Sequence, residues 1–161
     1  MGMGPGTVRA NLDAVIDVLK RSDLDYVEEE DILYRMWGKY MLNVGVNQTC
    51  MVYGTTYGGV ISEEEPNYIF ISAMREVIAV ANAEGIALTE DDLNMYVDLI
   101  ASLKSDLMPS MAQDRINHKP CEADAFSGTL MKIADKHGIH VPVNAYLNRR
   151  AKEIEEEYIP R

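Results

Sequence analysis

Residues 37–47 read WGKYMLNVGVN and place Lys39, Asn43 and Asn47 at intervals of four residues. On an α-helix each such step turns by about 40°, so the three polar side chains share one face. Asparagine is a poor residue for a helix interior, so two of them in one helix call for an explanation. The pattern predicts a polar face at the edge of the core, although an exposed amphipathic helix would have the same spacing. The neighbouring apolar stripe consists of Leu33, Met36, Trp37, Tyr40, Met41 and Val44.

The composition is typical of one folded domain with a strong negative charge. The chain has 161 residues, 47% of them hydrophobic, and a formal net charge of −11. That charge disfavours nucleic acid and anionic membranes as partners, because both attract basic surfaces. An anionic substrate would need a local cation, which Lys39 could supply. The sequence contains no apolar run long enough to span a membrane and no secretory signal.

The cysteines and histidines do not indicate a disulfide framework or a metal site. Cys50 and Cys121 are interpreted as buried small residues rather than nucleophiles, and their number favours a reducing cytoplasm. The spacing of His118, His137 and His140 does not match known zinc motifs, so no metal is predicted.

Helical periodicity and capping signals predict an all-α bundle of about seven helices. Thr89 is expected to cap a helix, Gly85 and Gly138 to end helices, and Pro142 to lie in a first turn. Residues 24–28 are predicted to be extended and residues 53–59 to form a loop. Seven helices are predicted. They cover residues 8–20; the acidic run 28–31 through about 51; 60 to about 83; 90 to about 103; 110 to a point before 119; 122–137; and 142 through the acidic run 153–157.

Two further polar clusters follow the central helices. Ser110 and Asp114 lie one helical turn apart, and Glu122 and Asp124 follow a Lys-Pro pair. By themselves, both clusters are typical of the first turns of helices, where hydroxyl and carboxylate groups accept from free backbone N–H groups.

Five of these segments, in this order, resemble the C-terminal domain of the ketopantoate reductase (2-dehydropantoate 2-reductase) family. The resemblance covers residues 29 to about 158. The segments are W-x-K-x3-N-x3-N at 37–47, A-E-G at 83–85, S-M-x-Q-D at 110–114, E-x-D with a following glycine at 122–128, and H-G-I at 137–139 with P-x-N at 142–144.

The resemblance implies one half of a two-domain, 6-phosphogluconate-dehydrogenase-like reductase. Residues 1–28 would be a leader plus a remnant of an N-terminal Rossmann domain that binds NADPH. Residues 29–161 would be the helical substrate-binding and catalytic domain, acting on a small 2-oxo acid in pantothenate and coenzyme A biosynthesis. Without the Rossmann domain, the fragment is expected to bind no cofactor and to be inactive. Segment 8–28 would then expose apolar surface made for a missing sheet, which predicts a homodimer or, as the alternative, a helix packed back on the domain.

The same resemblance assigns roles to individual residues. It implies that Lys39 is catalytic, that Asn43, Asn47 and Ser110 bind substrate, and that Glu122 acts near Lys39 to bind and orient substrate. This chain has Cys121 where the family often has threonine, which leaves another 2-oxo acid open as the substrate. A second alternative is a stand-alone helical module that pairs with itself or a partner and performs no chemistry.

Overall fold

The computed structural model describes residues 1–159 and confirms the all-α prediction for them. The last two positions of the predicted helical domain, 160 and 161, lie outside the described residues. No helix within residues 1–159 combines the length and the apolar character needed to cross a membrane. The helices are α1 (Arg9–Arg21), α2 (Ile32–Tyr53), α3 (Tyr57–Ser62), α4 (Glu64–Ala83), α5 (Glu90–Ser102), α6 (Ser110–Ile116), α7 (Thr129–His137) and α8 (Pro142–Glu156), with a π-helical turn at Asp124–Gly128.

The central element is α2, which contacts α3, α4, α5, α6, α8 and the π-helical turn. Asp31 begins this helix by accepting a 2.9 Å hydrogen bond from the Tyr34 N–H, and Gly54 ends it with a φ of 63°. Gly45 allows α4 to come close, since a Cβ there would lie 2.7 Å from Met74 Cγ. The middle of α2 is therefore enclosed on several sides while its first turns remain open.

The core is built on α2 and on the inner faces of α4 and α5. Phe70 and Met74 of α4 are fully buried, as is Val44 of α2. Burial of such large apolar side chains is the main favourable contribution to folding, at roughly 1.5–3 kcal/mol each. The predicted helix ends are also confirmed: Gly85 and Gly138 have φ angles of 82° and 64°.

Two predicted helices differ in the structure. The helix expected from residue 60 to 83 is broken at Glu63, where the backbone is extended. Pro66 explains the break, because a proline ring clashes with the carbonyl four residues earlier, here that of Ser62, the last residue of α3. The helix therefore restarts at Glu64, and the predicted loop 53–59 is partly helical because α3 begins at Tyr57.

The second difference concerns the predicted helix 122–137. Glu122 precedes the helical part, which starts as the π-helical turn and becomes α-helical only at Thr129. In this turn the Gly128 N–H donates to the Ala123 carbonyl, five residues back, at 3.0 Å. Such widened turns are frequent at functional sites.

Residues 1–29 form a small unit at one end of the chain. The Glu29 N–H donates to the Met1 carbonyl at 2.7 Å, within an isolated parallel bridge between Gly2 and Glu29. The buried residues of α1 are Leu12 and Ile16. Val15 and Val8, which directly precedes the helix, are 51% and 58% exposed.

Candidate active site

The predicted polar face of α2 runs from solvent into the protein. Lys39 is exposed, Asn43 is half-buried and Asn47 is only 7% exposed. Within the described residues, neither asparagine side chain has a hydrogen-bond partner, and no carboxylate lies within 4 Å of the Lys39 ammonium. An ammonium and two amides that are not used internally remain available to a ligand.

Ser110 and Glu122 lie in the two segments that pack beside α2. Ser110 is the first residue of α6 and is exposed. Its helix is fixed to the end of α2 by Arg115, whose Nη1 donates to the Met51 carbonyl at 2.6 Å. Glu122 is also exposed, and its carboxylate has no hydrogen-bond or ion-pair partner within residues 1–159. The ion pair of Lys39 with Glu122 is absent from the described contacts, so their proximity stays a prediction.

Two hydrogen bonds fix the segment after Glu122 against α2. The Tyr40 hydroxyl donates to the Phe126 carbonyl at 2.7 Å, and the Ser127 hydroxyl donates to Gln48 Oε1 at 2.5 Å. Tyr40 and Gln48 each directly follow a residue of the polar face, Lys39 and Asn47. The two bonds therefore set the register between the polar face and the Glu122 segment.

Sequence reasoning missed these connecting residues. Gln48 offered a signal, because it is a third amide in a helix otherwise lined by apolar side chains. Ser127 and Tyr40 offered none, since the π-helical turn that directs Ser127 toward α2 has no recognisable sequence pattern. Burial raises the pKa of Tyr40 to about 12, so its hydroxyl remains a donor at neutral pH.

An apolar groove opens along the first turns of α2. Its volume is about 260 Å³, and its walls come from α2 and from the start of α7. The rings of Trp37 and Tyr40 meet edge to face, with centroids 5.6 Å apart. The groove offers a surface for the apolar part of a small ligand. Its lining residues are Leu33, Met36, Trp37, Tyr40, Thr129 and Ile133.

The cysteines are unreactive at neutral pH. Burial raises the pKa of the Cys50 thiol to about 12, and burial together with the nearby Glu155 raises the pKa of Cys121 to about 11. Both remain thiols rather than thiolates, the form that acts as a nucleophile. Within residues 1–159, no group of three or more His, Cys, Asp or Glu side chains could hold a metal ion.

Within residues 1–159, the fold and this polar face define an all-α domain with a candidate polar site on its central helix. Residues 31–155 match the family described as "Ketopantoate reductase PanE/ApbA C terminal". The chain therefore belongs to the ketopantoate reductase family and corresponds to its C-terminal domain.

Individual relatives agree with this assignment. The 2-dehydropantoate 2-reductase of Streptococcus pyogenes serotype M6 is 29% identical over 129 residues, which cover 80% of this chain and 42% of that relative. A dimeric ketopantoate reductase from Staphylococcus aureus superposes with a TM-score of 0.82 at 20% identity, over 92% of this chain and 52% of that chain. The structure of D-mandelate dehydrogenase with NADH and anilino(oxo)acetate superposes with a TM-score of 0.82 at 22% identity, over 92% of this chain and 49% of that chain. The chain thus spans about half the length of the proteins it matches.

Proposed function

We propose that this chain is the substrate-binding and catalytic half of an NADPH-dependent 2-oxo acid reductase that converts 2-dehydropantoate to pantoate. The observation that carries the proposal is the polar face of α2. Lys39, Asn43 and Asn47 descend from the surface into the protein without internal partners. Their polar atoms keep some access to solvent and are not used internally, so they remain free to bind a ligand.

The chemistry of ketone reduction explains the residue types. When hydride reaches the carbonyl carbon, negative charge develops on the oxygen. The Lys39 ammonium can donate a hydrogen bond to that oxygen, stabilise the charge and transfer a proton as the alcohol forms. The exposed position of Lys39 at the open end of α2 suits this role, because the oxygen must also be reached by the hydride donor.

The remaining candidates bind the rest of the substrate. The amides of Asn43 and Asn47 can donate to and accept from a substrate hydroxyl, and the Ser110 hydroxyl can donate to its carboxylate. The Glu122 carboxylate can accept from a substrate hydroxyl and hold the Lys39 ammonium in place once both halves close on the substrate.

NADPH is assigned to the other half of the enzyme. Residues 1–159 contain one isolated bridge, between Gly2 and Glu29, and no sheet. A Rossmann-type cofactor site needs a glycine-rich turn that leads from a sheet strand into a helix. We therefore propose that NADPH bound by the dinucleotide-binding half supplies the hydride and that this chain does not turn over by itself. A titration followed by nicotinamide fluorescence that gave micromolar NADPH binding to this chain would contradict the assignment.

The apolar groove supports a second candidate substrate. The groove is lined by Trp37, Tyr40 and Ile133, and Tyr40 directly follows Lys39 in the sequence. Such a lining suits a 2-oxo acid with an aromatic or branched side chain. The structural likeness to a D-mandelate dehydrogenase with anilino(oxo)acetate points to the same class. Comparing the kcat/KM values of the complete enzyme for 2-dehydropantoate and an aryl 2-oxo acid decides between the two.

The proposed function is tested by Lys39→Ala in the complete enzyme, which joins this chain to its dinucleotide-binding half. We expect kcat to fall by about 10²–10⁴-fold, the usual contribution of a positioned proton donor. The assay follows the loss of NADPH with 2-dehydropantoate as substrate. Lys136→Ala, which removes an exposed lysine from the last turn of α7, is the matched control and should leave kcat unchanged. Near-wild-type turnover of Lys39→Ala would refute the assigned role.

A further inference from the structure

No contact within residues 1–159 restrains the Glu122 side chain, so the point from which it reaches toward a substrate is set by its backbone. The carboxylate is exposed and has no partner in the part of the chain that the structure describes. A carboxylate that must meet a substrate in a defined position therefore depends on how rigidly residues 121–124 are held. Small displacements matter here, because a shift of about 1 Å in a substrate-positioning group can cost about 10²-fold in rate.

Three polar side chains of α8 contact this segment on both sides of Glu122. Before it, the Cys121 N–H donates to Glu155 Oε2 at 2.7 Å. After it, Asn148 Nδ2 donates to the Ala123 carbonyl at 3.0 Å.

Further along, the Lys152 ammonium lies 2.5 Å from Asp124 Oδ1. The hydrogen bond from Lys152 lowers the pKa of Asp124, so the pair is charged at neutral pH. Asn148, Lys152 and Glu155 fall within an arc of about 60° on the helix, so one face of α8 makes all three contacts.

These contacts are not what seats α8 in the protein. The helix is anchored by Ala151 and Ile154, which are buried in an apolar cluster with Met51, Met111 and Ala123. Removing one polar contact leaves this cluster intact. Packing already holds Ala123, which belongs to this cluster. The three polar contacts add directional restraints at residues 121, 123 and 124 that apolar packing does not give.

We infer that Asn148, Lys152 and Glu155 are positioning residues that hold the Glu122 carboxylate in the orientation needed for substrate. This inference rests on the proposed function, since it requires that Glu122 acts on the substrate. It concerns residues of α8 that do not themselves reach the reacting atoms. Lys152 is the best of the three for a test, because it is 34% exposed and can be replaced without opening the apolar cluster.

The test is a double-mutant cycle between Lys152 and Glu122 in the complete enzyme. Lys152→Met should lower kcat/KM by about tenfold or more, and Lys152→Arg should restore most of the loss. In the Glu122→Gln background, Lys152→Met should not lower kcat/KM further. The pH–rate profile of this double variant should match that of Glu122→Gln alone. Arg149→Met is the matched control, because Arg149 lies on α8 but pairs with Glu153 at 3.1 Å and not with residues 121–124.

The outcomes separate this inference from the proposed function. Suppose that Glu122→Gln lowers kcat/KM and that Lys152→Met lowers it by the same factor in the wild-type and Glu122→Gln backgrounds. The positioning role is then refuted while the proposed function stands. If Glu122→Gln leaves kcat/KM unchanged, the role of Glu122 and the positioning role both fail. A thermal unfolding midpoint for Lys152→Met close to that of the wild type establishes that the variant is folded, so a loss of kcat/KM cannot be attributed to unfolding.

Discussion

Asn47 illustrates at the level of one residue how a candidate site keeps polar groups free. The residue is only 7% exposed, and no described residue offers its amide a hydrogen bond. The amide atoms are not fully enclosed, so they remain within reach of water or a ligand. One position further, Gln48 is completely buried, but its amide is used: it donates to the Val44 carbonyl at 2.8 Å and accepts from Ser127.

This contrast gives different expectations for two substitutions. Asn47→Leu should leave the free energy of unfolding unchanged or raise it by about 0.5 kcal/mol, since no internal hydrogen bond is lost and leucine has the higher helix propensity. Gln48→Leu should lower it by about 1 kcal/mol, because the bond from Ser127 to the buried amide is lost, although the Ser127 hydroxyl keeps its 3.2 Å bond to the Ala123 carbonyl. Urea denaturation of the isolated chain measures both changes. A clear loss of stability for Asn47→Leu would show that its amide already has a structural role.

At the level of elements, local signals in the sequence predicted the helix ends well. Thr89, Gly138 and Pro142 act within one turn of their own position, so their effect can be predicted from the sequence alone. The break at Glu63 was equally local, because Pro66 encodes it, but the prediction did not use that signal.

The π-helical turn could not be predicted in this way. It depends on Tyr40 and Gln48, which are distant in sequence and meet Phe126 and Ser127 only after folding. The same limit applies to the candidate site. The α2 face follows from spacing, whereas the contacts that position Glu122 come from another helix.

The junction of α2 with α5 gives a pH-dependent contribution to stability. Burial by itself would raise the pKa of Asp92, but hydrogen bonds from Tyr34 and Thr89 outweigh it and lower the pKa. A folded-state pKa below the unfolded one means that this stabilisation is present at neutral pH. It is lost as pH falls from the unfolded value of about 3.9 through the folded value.

We therefore expect Tyr34→Phe to destabilise the protein at pH 7 by about 1–2 kcal/mol, because hydrogen bonds to charged groups contribute about 1.5–3 kcal/mol and solvent weakens this partly exposed one. The difference from the wild type should shrink once the pH falls below about 4, where Asp92 becomes protonated. Unfolding free energies measured by denaturant titration across this pH range provide the test. Tyr26→Phe is the control, since Tyr26 is half-buried in residues 1–29, away from this junction. A Tyr34→Phe effect that stayed constant down to low pH would exclude the proposed coupling to Asp92.

At the scale of the whole molecule, the chain spans about half the length of its relatives and exposes an apolar face on α1. One side of α1 carries three exposed valines. Val8, directly before the helix, is 58% exposed, and Val15 and Val18 within it are 51% and 59% exposed. Their charged neighbours are balanced within the helix, where Arg9 pairs with Asp13 and Arg21 pairs with Asp17. Despite the net charge of −11, this side of α1 therefore opposes self-association only weakly.

We expect the isolated chain to form a dimer through this face, because burying apolar surface gives about 25 cal/mol per Å². Light scattering should report twice the monomer mass of 18.1 kDa. The double substitution Val15→Lys and Val18→Lys should return the chain to a monomer by placing two charges in the interface. Leu99→Lys, which changes an exposed apolar residue of α5, should leave the dimer intact. Added salt should not dissociate a dimer held by apolar contacts, whereas it would weaken a dimer held by surface charges. A monomeric wild-type chain would mean that the valine face is not enough by itself to pair two copies.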